Sequence, residues 1–242
     1  MRFTEKVLIA LAAGLGVAAA ISLIVPGASR RQAPPLDANY FPLDVGRTWK
    51  YRWTNTSYFA KPVVEVLNVD QSSNGTAIVK AKNTSGPIKV SGAYQFTKRL
   101  DGVTSVASAT KAASLAKLPP LGPRSLPASR RRHFFTPFDL MTYGFNPVMP
   151  AYPTTGTVWR SSPTSRDFGI YGVTGASRIV GVQKVKVPAG TFRALVIAST
   201  LKQPGFRFGS GTRTMWFAPG KGLVKLVFRH ADGSRSVVEL LH

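Results

Sequence analysis

The sequence of 242 residues contains no cysteine and few acidic side chains. The lack of cysteine excludes a disulfide framework, thiolate metal ligands and a lipid-modified cysteine. Only 10 Asp and Glu stand against 32 Lys and Arg, which gives a formal net charge of +22. A chain this basic favours anionic partners such as phospholipid headgroups, wall polymers or nucleic acid. A lineage-wide bias toward basic proteins would produce the same charge.

Sequence motifs of catalytic and cofactor sites are also absent. The histidines His133, His230 and His242 lack metal-binding spacing, and no serine lies in a G-x-S-x-G elbow. The carboxylates expected in irregular segments are Asp139 and Asp167, which together with His133 make only a weak case for a hydrolase. We therefore predict a protein that is not an enzyme and that holds no metal and no cofactor.

An apolar run of nineteen residues, Val7 to Val25, lies near the start of the chain. Its length suits a membrane-spanning helix, which needs about 17–25 residues, better than the shorter apolar region of a secretory signal. We expect residues 1–35 to be a retained N-terminal membrane anchor with a short linker; a cleaved signal peptide is the alternative. Residues 36–242 are then one domain outside the cytoplasm, tethered in the bacterial cell envelope or secreted.

The remaining sequence shows the strand-and-turn pattern of a β protein. Aromatic and basic residues alternate over Trp49–Trp53, as in a half-buried strand, and Asp101 followed by Gly102 marks a hairpin turn. About ten such segments predict a mainly β fold with a single antiparallel, curved sheet, in the form of a half-barrel or open barrel. Glu65 and Glu239 alternate with apolar residues, and we expect both to face water.

A basic, proline-rich insertion at about 109–153 interrupts this pattern. Its first part, Ala109 to Leu118, is expected to form one or two helical turns. Basic residues followed at once by two phenylalanines suit an anionic membrane surface. We assign anionic-surface binding to Lys111, Lys117, Arg124, Arg130, Arg131 and Arg132. The alternative is a solvated loop with no binding role.

Three functions are compatible with these features. The first is a non-enzymatic, membrane-tethered extracytoplasmic domain that binds a partner protein or an anionic envelope surface. Nucleic acid is disfavoured as a partner because the sequence has no reader motif. The alternative is a carrier or sensor of an apolar or lipid ligand in the concave face of the sheet, lined by Phe138, Met141, Tyr143 and Phe145. A cell-wall hydrolase is the third and weakest candidate.

Motifs near both ends of the domain carry a resemblance to a group of bacterial proteins. They are YFPLxxGxxWxY at 40–51, VPAGTF at 187–192 and WFAPGxGLVK at 216–225. These motifs resemble those of uncharacterised secreted or membrane-anchored β-rich envelope proteins, some of which are lipoproteins. The resemblance implies a β-rich envelope domain and brings no catalytic residues. Because the lipobox cysteine of that group is missing here, attachment would depend on the helix at about 7–25.

Overall fold

The structure is a computed structural model that describes residues 39–86, 89–100, 102–114, 120–121, 132–133, 137–145, 147–160 and 173–242. The predicted N-terminal helix and much of the basic insertion lie outside these residues, so the domain boundary at residue 35 stays a prediction. Within the described ranges, no helix has the length and apolar character required to cross a membrane.

Most of the described elements are strands. In chain order they are β1 (Thr48–Asn55), β2 (Phe59–Ser73), β3 (Thr76–Ser85), β4 (Lys89–Arg99), β5 (Gly102–Ser114), β6 (Pro120–Leu121), β7 (Arg132–His133), α1 (Pro137–Thr142), β8 (Met149–Pro150), β9 (Val158–Arg160), β10 (Thr174–Val187), β11 (Gly190–Lys202), β12 (Gly211–Ala218), β13 (Gly222–His230) and β14 (Arg235–Leu240).

Twelve of these strands form one antiparallel sheet that does not close into a barrel. Its order is β8-β5-β4-β3-β2-β1-β14-β13-β12-β11-β10-β9, and β6 pairs with β7 separately. Hairpins join sequence neighbours on each side, and β1 pairs with β14 in the middle. The prediction of a mainly β fold with a single open antiparallel sheet is therefore confirmed.

The alternation of side chains along each strand determines which face carries the core. In β1 and β14 every second residue is buried, as expected when only one face of a strand is covered. The strand registers align these residues into an apolar row that crosses six strands, formed by Trp53, Val238, Leu226, Met215, Ile197 and Ile179. We call the face that carries this row the core face and the opposite one the outer face.

Helix α1 covers part of the core face. Its first residue is Pro137, a favoured first helical position because proline has no amide hydrogen that would need a partner there. Leu140 and Met141 are buried and belong to the main hydrophobic core. Complete burial of such a side chain contributes about 1.5–3 kcal/mol, so packing compensates for the short length of the helix.

Strand β5 differs from the sequence prediction. It continues to Ser114, where it pairs with Lys89 of β4, so the helical turn expected from Ala109 onward is wrong for residues 109–114. Pairing with the long strand β4 supplies backbone hydrogen bonds that outweigh the weak local helical preference. The hairpin predicted at Gly102 is confirmed, since Gly102 pairs with Arg99. Gly102 has a φ of 143°, and a Cβ there would collide with the carbonyl oxygen of Met149.

Candidate functional site

A second row of residues on the core face runs parallel to the apolar row and is largely polar. On each strand it lies two residues away from the apolar row, on the same side of it. It consists of Asn55, Ser236, Phe228, Arg213, Ser199 and Ser177, all of them buried, and Trp159 of β9 pairs with its last member. We call this the polar row. Because buried polar groups are costly unless they form hydrogen bonds, the contacts of these side chains show what the row does.

Arg213 is the centre of the polar row. Its Nη1 donates hydrogen bonds to the carbonyl oxygens of Leu140, at 2.7 Å, and Tyr143, at 2.9 Å. Its guanidinium carbon lies 5.3 Å from the centre of the Phe145 ring. Carbonyl groups at the end of a helix lack partners within the helix and carry partial negative charge. Arg213 therefore fixes the end of α1 to the sheet.

The charge of Arg213 is only partly compensated. Burial lowers its pKa to about 9, although the neighbouring Tyr143 acts in the opposite direction. The guanidinium remains protonated at neutral pH, and its Nε and Nη2 atoms are buried without a hydrogen-bond partner. Tyr143 itself donates a hydrogen bond to Oε1 of Gln203, and burial raises the pKa of its phenol.

His230 and Ser236 form a second polar contact on the core face. His230 Nε2 lies 2.8 Å from Ser236 Oγ, and Nδ1 lies 2.5 Å from the carbonyl oxygen of Phe208. The carbonyl can only accept, so Nδ1 carries the proton and Nε2 accepts from the serine hydroxyl. The imidazole is stacked between Phe208 and Phe228, with ring centres 3.8 Å and 4.2 Å away.

This contact resembles the nucleophile and base of a hydrolase, but both groups are buried. Ser236 Oγ also accepts a hydrogen bond from Asn55 Nδ2 at 3.0 Å. Burial lowers the pKa of His230 to about 4, so its imidazole is neutral at physiological pH. In this conformation a substrate cannot reach the serine, and the contact links β1, β13 and β14 as a structural element.

Glu65 overturns an expectation from the sequence. We predicted that it faces water, which is wrong: the side chain is fully buried and neither carboxyl oxygen has a hydrogen-bond partner. It pairs with Tyr51 of β1, and this register places it on the core face. Burial raises the pKa of Glu65 well above its ordinary value, and the charge of Asp139 raises it further.

The residues of the hydrolase hypothesis are only partly described. Asp139 lies in α1, is buried, and accepts a hydrogen bond from the Tyr94 hydroxyl at 3.1 Å. Asp167 and the side chain of His133 lie outside the described residues, so this set stays a prediction. Across the described ranges, no three His, Asp or Glu side chains are placed to hold a metal ion.

The residues assigned to a ligand cavity lie within the core. Met141, Tyr143 and Phe145 are buried in the main cluster, and the side chain of Phe138 lies outside the description. Met141 borders a crevice of about 10 Å³ beside Trp49. That volume is close to the minimum for one water molecule and too small for an acyl chain. The carrier hypothesis stays a prediction, and these three residues support the alternative of a packed interior.

The assigned anionic-surface residues cannot be placed as side chains. Lys111 lies on β5 and Arg132 on β7, and for these two the backbone alone is described. The others, Lys117, Arg124, Arg130 and Arg131, lie outside the described residues.

The outer face carries a different arrangement of charge that sequence reasoning missed. Arg229 of β13 lies directly opposite Arg235 of β14, and both are exposed. Like charges directly opposite each other destabilise a sheet. Within the described residues, neither arginine forms an ion pair with a carboxylate. The sequence signal that could have predicted this pair is that both arginines lie three residues from Asp232, in the turn between β13 and β14.

Farther along the outer face, two cations are balanced. Glu239 lies between Arg52 and Lys225, with nitrogen–oxygen distances of 2.8 Å and 3.0 Å. Partial burial would raise the pKa of Glu239, but hydrogen bonds and charge from the two cations outweigh it and lower the pKa. The uncompensated positive charge of this region is therefore at the Arg229–Arg235 end.

Comparisons with known proteins add distant structural likenesses. No protein-family model matches the chain, and no curated protein matches it. A predicted exported protein with a YmcC-like fold from Bacteroides fragilis has a TM-score of 0.39 at 14% identity, covering 85% of this chain and 98% of its own. A predicted lipoprotein from Parabacteroides distasonis has a TM-score of 0.36 at 15% identity, with the same coverage. The predicted lipoprotein YmcC from Escherichia coli has a TM-score of 0.36 at 9% identity, covering 81% of this chain and 87% of its own.

These three are bacterial exported proteins or lipoproteins by prediction, the broad class that the sequence motifs resemble. With TM-scores below 0.5 they do not assign the chain to a family or to a function.

Proposed function

We propose that this protein is a non-enzymatic domain of the bacterial cell envelope. The N-terminal apolar segment holds it outside the cytoplasm, and its basic outer face binds an anionic envelope surface or an acidic partner protein. The observation that carries this proposal is the exposed pair Arg229 and Arg235, directly opposite each other on neighbouring strands. Two cations in this position weaken the sheet, and an anion bound across both would remove the penalty.

The burial of the chemically active groups supports a binding role over catalysis. Glu65, Asp139, Arg213 and His230 are all buried in the core. Catalytic groups must come within hydrogen-bond reach of the reacting atoms. The cations of the outer face, by contrast, are exposed to any partner.

The turn between Arg229 and Arg235 contains an acidic residue. Asp232 lies in the turn between β13 and β14, where its carboxylate accepts hydrogen bonds from Tyr58, at 2.6 Å, and from Ser234. Burial would raise the pKa of Asp232, but these hydrogen bonds lower it. The carboxylate is thus engaged with neutral donors, and the two arginines outnumber it.

Salt-dependent capture of vesicles tests the proposal. The full chain is embedded in nanodiscs of phosphatidylcholine, immobilised, and exposed to fluorescent vesicles with or without phosphatidylglycerol. We expect capture of the anionic vesicles only, decreasing as salt rises, because exposed charges are screened. Arg229→Gln should weaken capture about fivefold, as each basic side chain near such a surface contributes about 1 kcal/mol.

Lys80→Gln is the matched control. It removes one exposed cation as well, but Lys80 is already paired with Asp70 at 2.7 Å, so capture should change little. Since Arg229→Gln also relieves repulsion with Arg235, we expect this variant to remain folded. Capture that does not change between low and high salt, or equal effects of the two variants, would contradict the proposal.

A further inference from the structure

One end of the sheet carries a cleft of about 230 Å³. It lies where the β4–β5 hairpin and β8 meet the first described residues of the chain. Its lining includes the buried apolar side chains of Phe41, Val103 and Met149, together with Lys98 and Arg99, which are exposed. The cleft thus combines an apolar floor with two cations.

Two large apolar side chains beside this cleft are exposed to solvent. Leu100 follows Arg99 in the hairpin and is 96% exposed, and Tyr152, next to the lining residue Ala151, is 71% exposed. A single exposed leucine is ordinary, but an aliphatic and an aromatic side chain beside paired cations suit a membrane interface. The cleft lining includes no acidic residue. Asp101 follows Leu100 in the sequence, but its single negative charge is outnumbered by the positive charges of Lys98 and Arg99.

The described chain begins beside this cleft, a few residues after the predicted membrane anchor in the sequence. Asn39, the first described residue, itself lines the cleft. Only thirteen residues separate Asn39 from Val25, the last residue of the apolar run. Thirteen residues span at most about 45 Å even when fully extended. The chain therefore enters the described domain at the cleft, within a short linker of the predicted anchor.

We infer that this end of the sheet docks on the anionic phospholipid surface of the membrane that holds the tether. Lys98 and Arg99 contact lipid phosphates, Leu100 enters the boundary with the acyl chains, and Tyr152 lies among the headgroups. We call these four residues the docking patch. The inference rests on the tether of the proposed function and adds a defined lipid-contacting site to it.

The absence of cysteine makes a direct measurement straightforward. Single-cysteine variants Leu100→Cys and Tyr152→Cys of the full chain carry a fluorescent probe and are reconstituted into vesicles whose lipids bear a nitroxide quencher. Ser85→Cys is the control, since Ser85 is exposed at the end of β3 that lies away from the β4–β5 hairpin. We expect quenching at positions 100 and 152, but not at 85, when the vesicles contain phosphatidylglycerol.

Charge removal tests the cation contribution. In the Leu100→Cys background, the double substitution Lys98→Gln and Arg99→Gln should lower the ratio of docked to undocked domain about 30-fold. Each cation is expected to contribute about a fivefold factor to this ratio, and the two factors multiply. Vesicles of phosphatidylcholine alone should give little quenching with or without these changes. Equal quenching at positions 100 and 85, or quenching that does not depend on phosphatidylglycerol, would overturn the inference.

A probe in the basic insertion separates this inference from the broader proposal. If Arg124→Cys is quenched in anionic vesicles and Leu100→Cys is not, the domain binds the membrane through the insertion and the docking patch is refuted. If the unlabelled chain does not float with the vesicles at all, the tether of the proposed function fails as well.

Discussion

Replacing Glu65 with glutamine would change how the stability of the protein depends on pH. The folded protein raises the pKa of this buried carboxyl, so the folded state holds its proton more tightly than the unfolded chain does. The stability linked to this proton is complete below about pH 4.5, the ordinary pKa. It is lost as pH rises toward the folded-state pKa, by up to about 1.4 kcal/mol per pH unit.

Glutamine keeps the shape of the side chain and does not titrate. We therefore expect Glu65→Gln to be increasingly more stable than the native protein as pH rises above 4.5. Neither carboxyl oxygen of Glu65 has a hydrogen-bond partner, so the substitution breaks no hydrogen bond. Urea unfolding of the full chain in a mild detergent, at a series of pH values from 4.5 to 8, measures the difference.

Glu239→Gln is the control of opposite sign. Its carboxylate has a lowered pKa because Arg52 and Lys225 bind it. That stability is present above the ordinary pKa and is lost as pH falls, so this variant should be less stable than the native protein at neutral pH. If the difference in stability between Glu65→Gln and the native protein did not grow as pH rises from 4.5 to 8, the pKa of Glu65 would not be raised in the fold and our reasoning would be wrong.

Two further predictions concern the other buried ionisable groups. Arg213→Ala should lower the free energy of unfolding by about 3 kcal/mol or more, because it leaves a cavity and two helix-end carbonyls without donors. Hydrogen exchange should then increase first in α1; a uniform increase throughout the sheet would argue against its role as a helix clamp. The imidazole of His230 should remain neutral in NMR titrations until the pH falls to about 4, and the fold should lose stability from pH 6.5 down to that value. Titration near pH 6.5 would show that it is not buried between the two phenylalanine rings.

The strands were predictable because alternation is a local signal. Trp49, Tyr51 and Trp53 are buried as their spacing predicts, and the hairpin glycine Gly102 lies where expected. Glu65 was placed on the wrong face because apolar residues occur at both odd and even positions of β2. The run of even positions ends in Asn68 and Asp70, and this signal correctly indicates that the odd positions are buried.

The polar row was not predictable in the same way. Asn55 and Ser236 are 181 residues apart, and their contact depends on the pairing of β1 with β14. An arginine in a strand, such as Arg213, is ordinarily exposed, and its burial follows from the position of α1, which a single sequence does not specify. Local pattern therefore gave the elements, and the long-range register determined which of their polar residues meet.

The pairing of β1 with β14 has a consequence for how the protein folds. These strands, adjacent at the centre of the sheet, are among the most distant along the chain, so the sheet consists of two meanders joined by one late pairing. Each meander can form from local hairpins, but the central pairing requires closing a loop of nearly the whole domain, which is slow. During synthesis or export, the exposed edges of β1 and β13 must wait until β14 has emerged, and in that interval they are open to pairing with other chains.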